Sequence, residues 1–153
     1  MKRMLLALVM LVLMTSLAFG AGTATVAAPT YNNERDKGFI VITWTGDASD
    51  GSVPAATISM VSYKLVGWYL YSIETDPGST APSDNYDITI TDANSLDICY
   101  SQALNRDTSN TEIAFCTTSG KGFYVVRGNL IFNLSGNSEA SATGTTILTF
   151  VKN

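Results

Sequence analysis

Beyond residue 20, apolar and polar side chains alternate with a period of two in window after window. No stretch sustains the 3.6-residue period of an amphipathic helix. Phe39 to Trp44 is a β-branched and aromatic run and reads as a strand covered on both faces. Val66 to Thr75 alternates next, with Trp68, Leu70 and Ser72 on one face and Tyr69, Tyr71 and Ile73 on the other, until Asp76-Pro77-Gly78 stops it. In Tyr86 to Thr91 the even positions are apolar, and Leu96 to Tyr100 repeats that phase after the turn residues Asp92 to Ser95. The two segments predict an antiparallel hairpin with a shared apolar face. Ile113 to Thr117 and Phe123 to Val126 read as short extended pieces. Asn129 to Ser135 sets Leu130, Phe132 and Leu134 against Ile131, Asn133 and Ser135, and Thr145 to Val151 closes the pattern. Ala55 to Tyr63 fits either a short strand or one turn of helix. Turn chemistry fills Gly46 to Gly51, Ser79 to Asn85, Asn105 to Thr111, Ser119 to Gly122 and Gly136 to Thr143. About 7–8 short strands between such turns predict an all-β chain: a single antiparallel β-sandwich, jelly-roll or Ig-like, over residues 21–153. No internal repeat or linker divides it.

Residues 1–20 follow a different rule. Lys2 and Arg3 precede the unbroken apolar run Met4 to Met14, and Ala18 and Gly20 are small residues at the −3 and −1 positions of a cleavage site between Gly20 and Ala21. The run falls short of the roughly 20 apolar residues that a spanning helix needs. It reads as a signal peptide, with no stable membrane span after cleavage and a secreted or periplasmic destination.

The leader changes the charge balance. The whole chain has nine Lys+Arg and thirteen Asp+Glu. Removing Lys2 and Arg3 leaves seven basic side chains against thirteen acidic ones, a net of −6. Such a surface repels phosphate backbones, so nucleic acid is not an expected partner. The remaining length suffices to bury about two thirds of its unfolded surface. Cys99 and Cys116 fit two readings: a disulfide closing a loop of about 17 residues, worth about 3 kcal/mol in the chain-entropy account, or two separate buried thiols.

Catalytic chemistry finds few candidates. There is no histidine, which removes the commonest general base, Ser-His and Cys-His nucleophilic pairs and most catalytic zinc sites. No Gly-rich phosphate loop of a known type occurs. Asp87 and Asp97 share the polar face of the expected hairpin, as a paired-carboxylate glycosidase would require, but outward-facing solvated acids explain them more simply. Asp92-Ala93-Asn94-Ser95-Leu96-Asp97 begins like a calcium loop, yet Leu96 occupies a ligand position and no closing Glu follows. Asp47 to Gly51 is no stronger, and Asx-stabilised turns account for both segments. Tyr63, Tyr69, Tyr71, Trp44 and Trp68 suit either core packing or a carbohydrate-stacking face. The expectation is a non-enzyme with no catalytic residue, cofactor or metal.

The order of segments from Ser72 onward carries a resemblance. Ser72-Ile73-Glu74-Thr75-Asp76-Pro77-Gly78, continuing through Tyr86-Asp87-Ile88-Thr89-Ile90-Thr91-Asp92-Ala93-Asn94-Ser95-Leu96-Asp97-Ile98, resembles small virion-associated proteins of tailed bacteriophages and prophages. Ala103 to Glu112, Leu134-Ser135-Gly136-Asn137-Ser138 and Ala142-Thr143-Gly144-Thr145 continue it in order. The resemblance implies a β-sandwich structural or assembly protein of a head or tail. Its partners would be other structural proteins in a homo-oligomer or array, and its location the virion. It implies no functional residues. The leader, and Cys99-Tyr100-Ser101-Gln102 where the family is Gly-rich, depart from the pattern. They support the alternative of a secreted binding module for a glycan or cell-surface partner.

Overall fold

A computed structural model describes residues 20–117 and 122–152, so the leader up to residue 19 lies outside the described residues. Nine strands form: β1 (Thr23–Val26), β2 (Thr30–Tyr31), β3 (Lys37–Thr45), β4 (Ala56–Ile58), β5 (Tyr69–Pro77), β6 (Asp87–Thr91), β7 (Glu112–Phe115), β8 (Leu130–Ser135) and β9 (Thr143–Val151). There is no helix among the described residues. The chain is all-β, in two antiparallel sheets.

The larger sheet runs β1-β3-β9-β5-β7, with β2 also on β3; the smaller runs β4-β8-β6. Alternation fixes which face each strand buries. Ile40, Ile42 and Trp44 of β3, Leu148 and Phe150 of β9, and Leu70 and Ile73 of β5 point toward Ile58, Ile88, Ile90, Leu130 and Phe132 of the smaller sheet. All belong to one buried cluster between the sheets. The outward face of the smaller sheet is polar around Ile131: Thr57, Asn133, Ser135, Thr89 and Thr91.

The close fit of β3 and β9 depends on one glycine. A Cβ on Gly144 would lie 2.2 Å from the Trp44 ring, so only glycine lets the indole lie flat against β9. That ring is held by a hydrogen bond from Nε1–H to Thr146 Oγ1 (3.3 Å) and a tilted contact with Tyr86, centroids 5.9 Å apart.

Three departures from the sequence reading have physical causes. Leu96 to Tyr100 is not the second strand of a hairpin; β6 pairs with β8 instead. Asp97 accepts hydrogen bonds from the N–H groups of Cys99 (3.1 Å) and Ser101 (2.6 Å), which coils the chain into a turn, with Ser95, Tyr100 and Ser101 at left-handed φ. The segment still covers the free edge of β6, through Ile98 N–H to Ile90 C=O (2.8 Å), Ile88 N–H to Ala103 C=O (2.9 Å) and Arg106 N–H to Tyr86 C=O (2.7 Å). In β5 the register slips between Leu70 and Ser72, so Ser72 joins the outward-facing row opposite Thr149 while Ile73 turns inward. The expected faces of Ser72 and Ile73 are thereby exchanged. Finally, β1 and β2 add to β3 from a segment whose small residues give little strand signal.

Candidate functional site

The outward face of the larger sheet is the largest departure from a solvated surface. Its register places Phe39 and Val41 of β3 beside Thr149 and Ile147 of β9, then Ser72 and Glu74 of β5, then Phe115 and Ile113 of β7. Toward the opposite ends of β3 and β9 the same face becomes threonine: Thr43, Thr45, Thr143 and Thr145. The apolar part ends on β7, the terminal strand of the order. Ile113 is 55% and Phe115 52% exposed there, and Tyr71 and Phe123 stand beside them. The Tyr71 ring meets Phe115 edge-on and Phe123 at a tilt, with centroids 5.5 Å apart in both pairs. A shallow depression of about 470 Å³ opens between Phe39, Tyr71, Ile113, Phe115 and Val151, with Lys37 and Glu74 as its charges.

The backbone of β7 adds a second feature. Cys116 N–H donates to Tyr71 C=O (2.9 Å), so alternation turns the backbone groups of Ala114 toward β5 and those of Ile113 and Phe115 toward the sheet edge, where Phe115 C=O also accepts from Thr117 N–H (2.9 Å). An open ladder edge carrying two large apolar side chains is a template for another strand. Cys99 and Cys116 meet directly behind this strand, their sulfurs 2.02 Å apart. This link ties the end of β7 to the turn that covers β6. Arg106 and Glu112, 3.5 Å apart, tie its beginning to the same segment.

The carboxylates singled out in the sequence are used locally. Asp92 accepts from the N–H groups of Asn94 (2.8 Å) and Leu96 (3.0 Å) and from the Tyr124 hydroxyl (2.9 Å). These bonds, that from Leu96 foremost, hold its carboxyl below the usual range, while burial pushes the Tyr124 phenol up. Asp87 accepts from Asn105 N–H (2.9 Å). Asp87 opens β6, whereas Asp97 bridges Thr91 at its far end. Four strand residues at about 3.3 Å each separate the two acids by roughly 13 Å, beyond the 6.5–9.5 Å of an inverting pair. The near-neighbour geometry expected for Asp87 and Asp97 does not form. Asp47 is likewise occupied by the Ser49 hydroxyl and N–H, which lower its pKa.

Of the five aromatics considered for stacking, Trp44 is in the core and Trp68 is nearly covered. Tyr63 and Tyr69 are half-buried, and Tyr71 stands exposed in the patch. Phe115 and Phe123, its ring partners, were not among them; their signal was an aromatic at each end of a weak, polar-flanked segment. Gly20 and Ala21, the expected cleavage junction, are exposed just before β1.

No family model matches the chain. No curated protein matches it either. Among solved structures, the chain is similar to one described as the cyanophage Pam1 capsid asymmetric unit, at 16% identity and a TM-score of 0.45, over 92% of this chain and 93% of that one.

Proposed function

We propose that the chain is a non-enzymatic structural or assembly protein of phage-virion type: a β-sandwich of jelly-roll or Ig-like kind that works in an array through protein–protein contacts. The observation that carries this reading is the open β7 edge with Ile113 and Phe115 exposed on it, beside the Tyr71–Phe123 patch. Its occupant is a second copy of the chain. Antiparallel pairing of two β7 strands about Ala114 sets Ile113 of each copy against Phe115 of the other, a self-complementary contact of the isologous kind. It also satisfies the two open edges together. The ordered resemblance to phage virion proteins supports the same role, in a head or a tail.

Two measurements test it. Proteomics of purified particles detects the chain, and sedimentation finds oligomers that Phe115→Lys reduces to monomers. Absence from every particle, or monomers at all concentrations, overturns the proposal. A second reading, a secreted or periplasmic binding module, is favoured by the Cys99–Cys116 link, which suits an oxidising compartment. Mass spectrometry of the mature N-terminus separates the two: a start at Ala21 supports export, and an intact Met1 rules it out.

A further inference from the structure

Three basic side chains far apart in sequence meet at one end of the strands, where they enclose a depression of about 270 Å³ with Tyr31 and Trp68. Arg35 comes from the turn between β2 and β3, Lys64 from the turn between β4 and β5, and Lys152 from just beyond β9. They are three of the seven basic residues outside the leader, in a chain segment of net charge −6. None has a carboxylate partner among the described residues, where the ion pair is Arg106–Glu112. The nearby acids in the sequence are Glu34, which is exposed, and Asp36, whose carboxylate accepts from Asn32 Nδ2. Neither lines the depression.

The backbone beneath the cations is unusual. Arg35 has φ +56° and Lys64 φ +58°, the left-handed region, where long side chains are disfavoured and Gly or Asn is the ordinary choice. The first turn is tightly held: Asn32 Oδ1 accepts from the N–H groups of Asp36 and Lys37 (3.1 Å each), and Arg35 N–H donates to Asn32 C=O (3.1 Å). In the second, Lys64 N–H donates to Val61 C=O (3.2 Å) and Leu65 N–H to Met60 C=O (3.0 Å). Lys152 N–H joins the first turn at Asp36 C=O (2.8 Å). Two strained positions therefore carry a long cation where a smaller residue would fold more easily, and both side chains line one depression. Six other non-glycine residues share this region, so what sets Arg35 and Lys64 apart is that both line the same depression. The aromatic wall is also fixed: Tyr31 donates its hydroxyl to Tyr63 C=O (2.6 Å), and its ring meets Trp68 edge-on with centroids 5.9 Å apart. Tyr31 remains 40% exposed where it lines the depression.

We propose that this depression binds an anionic saccharide unit, a single sugar ring carrying a carboxylate or sulfate. The three cations take the anion through charge-assisted hydrogen bonds, and the exposed Tyr31 ring packs on the apolar face of the sugar. The volume lies at the small end of ligand pockets and fits one ring rather than a chain. None of its lining residues belongs to β7, the edge on which the proposed assembly rests.

The test is calorimetric titration of the purified protein with four probes: glucose 6-sulfate, glucuronate, glucose and inorganic sulfate. The expected result is saturable binding of at least one acidic sugar, about tenfold or more tighter than glucose and than inorganic sulfate, and weakened by added salt. Arg35→Asn and Lys64→Asn suit the left-handed backbone and each lower the affinity about tenfold with unchanged melting temperatures. Equal binding of glucose, or of inorganic sulfate alone, overturns the saccharide assignment, as does no binding by either acidic sugar. Undiminished affinity in both Asn variants places any binding elsewhere and also overturns it. The comparison among probes is made on the unaltered protein, so it decides even if a variant fails to fold.

Discussion

Gly144→Ala is the sharpest test of the packing between β3 and β9, two of the three nine-residue strands of the sheet. The added methyl would lie 2.2 Å from Trp44 Cζ2 and 2.7 Å from Cε2 and Cη2, with the indole already fully enclosed. The ring must tilt away, because the β9 backbone is paired on both sides, to β3 and to β5. Overpacking of this kind costs about 1–3 kcal/mol. Tilting also pulls Nε1–H from Thr146 Oγ1, and a buried donor left unpaired costs about 1–3 kcal/mol more. Against this, replacing a strand glycine recovers about 0.5–1 kcal/mol of chain entropy. The net loss is about 1–5 kcal/mol, a large part of the 5–15 kcal/mol that a domain this size usually has. Urea unfolding followed by tryptophan fluorescence measures it. Two controls isolate the cause. Thr146→Val removes the acceptor without a clash and costs about 1–2 kcal/mol. Gly128→Ala meets open space and stays within about 0.5 kcal/mol of the parent. If Gly144→Ala also stays within that range, with the near-ultraviolet dichroism of Trp44 unchanged, the reasoning from close approach is wrong.

Two further outcomes follow from features already described. Cys116→Ala lowers stability by about 3 kcal/mol, read from the urea midpoint, and leaves one thiol that alkylates in denaturant without reductant, where the parent shows none; two thiols alkylated in the parent under the same conditions would refute the pairing. Asp47, Asp92 and Asp107 have carboxyls held low, by the Ser49 hydroxyl, Leu96 N–H and Ser109 N–H respectively. Their folded pKa values lie below the unfolded value of about 3.9, so their contribution is complete above that pH and is lost as pH falls through the lowered values. Stability falls below about pH 4, and the triple variant Asp47→Asn, Asp92→Asn, Asp107→Asn falls less steeply in the same window; identical acid limbs would remove these groups as the cause.

Strands with a buried face and clean alternation were legible. β3, β8 and β9 lie where Phe39–Trp44, Asn129–Ser135 and Thr145–Val151 predict them, within a residue or two at the ends. The hairpin failed because Asp97 is indistinguishable, by pattern, from an outward-facing strand residue. Its carboxylate instead captures two backbone N–H groups and coils the chain. The β5 bulge is invisible for a related reason: polar Ser72 alternates correctly with its neighbours, and only the pairing with β9 reveals the extra residue. The candidate surfaces were harder still. Tyr71 stood out as an aromatic, but that it meets Phe115 and Phe123 follows from which strand ends at the sheet edge. Arg35, Lys64 and Lys152 are ordinary isolated cations in the sequence. The turns that collect them are written in Asn32 and in the strand order, not in any local basic run.

The place of β9 has a temporal consequence. Among the described residues it is the last strand in chain order, yet it lies between β3 and β5 and is the only ladder joining them. Until Thr143–Val151 has been synthesised, β3 and β5 have no common partner, and the larger sheet exists as two halves with unfilled edges. The larger sheet therefore cannot close before β9 has been made, and it closes through contacts of long sequence separation that form slowly. An edge of β3 or β5 left open in that interval can pair with a strand of another chain.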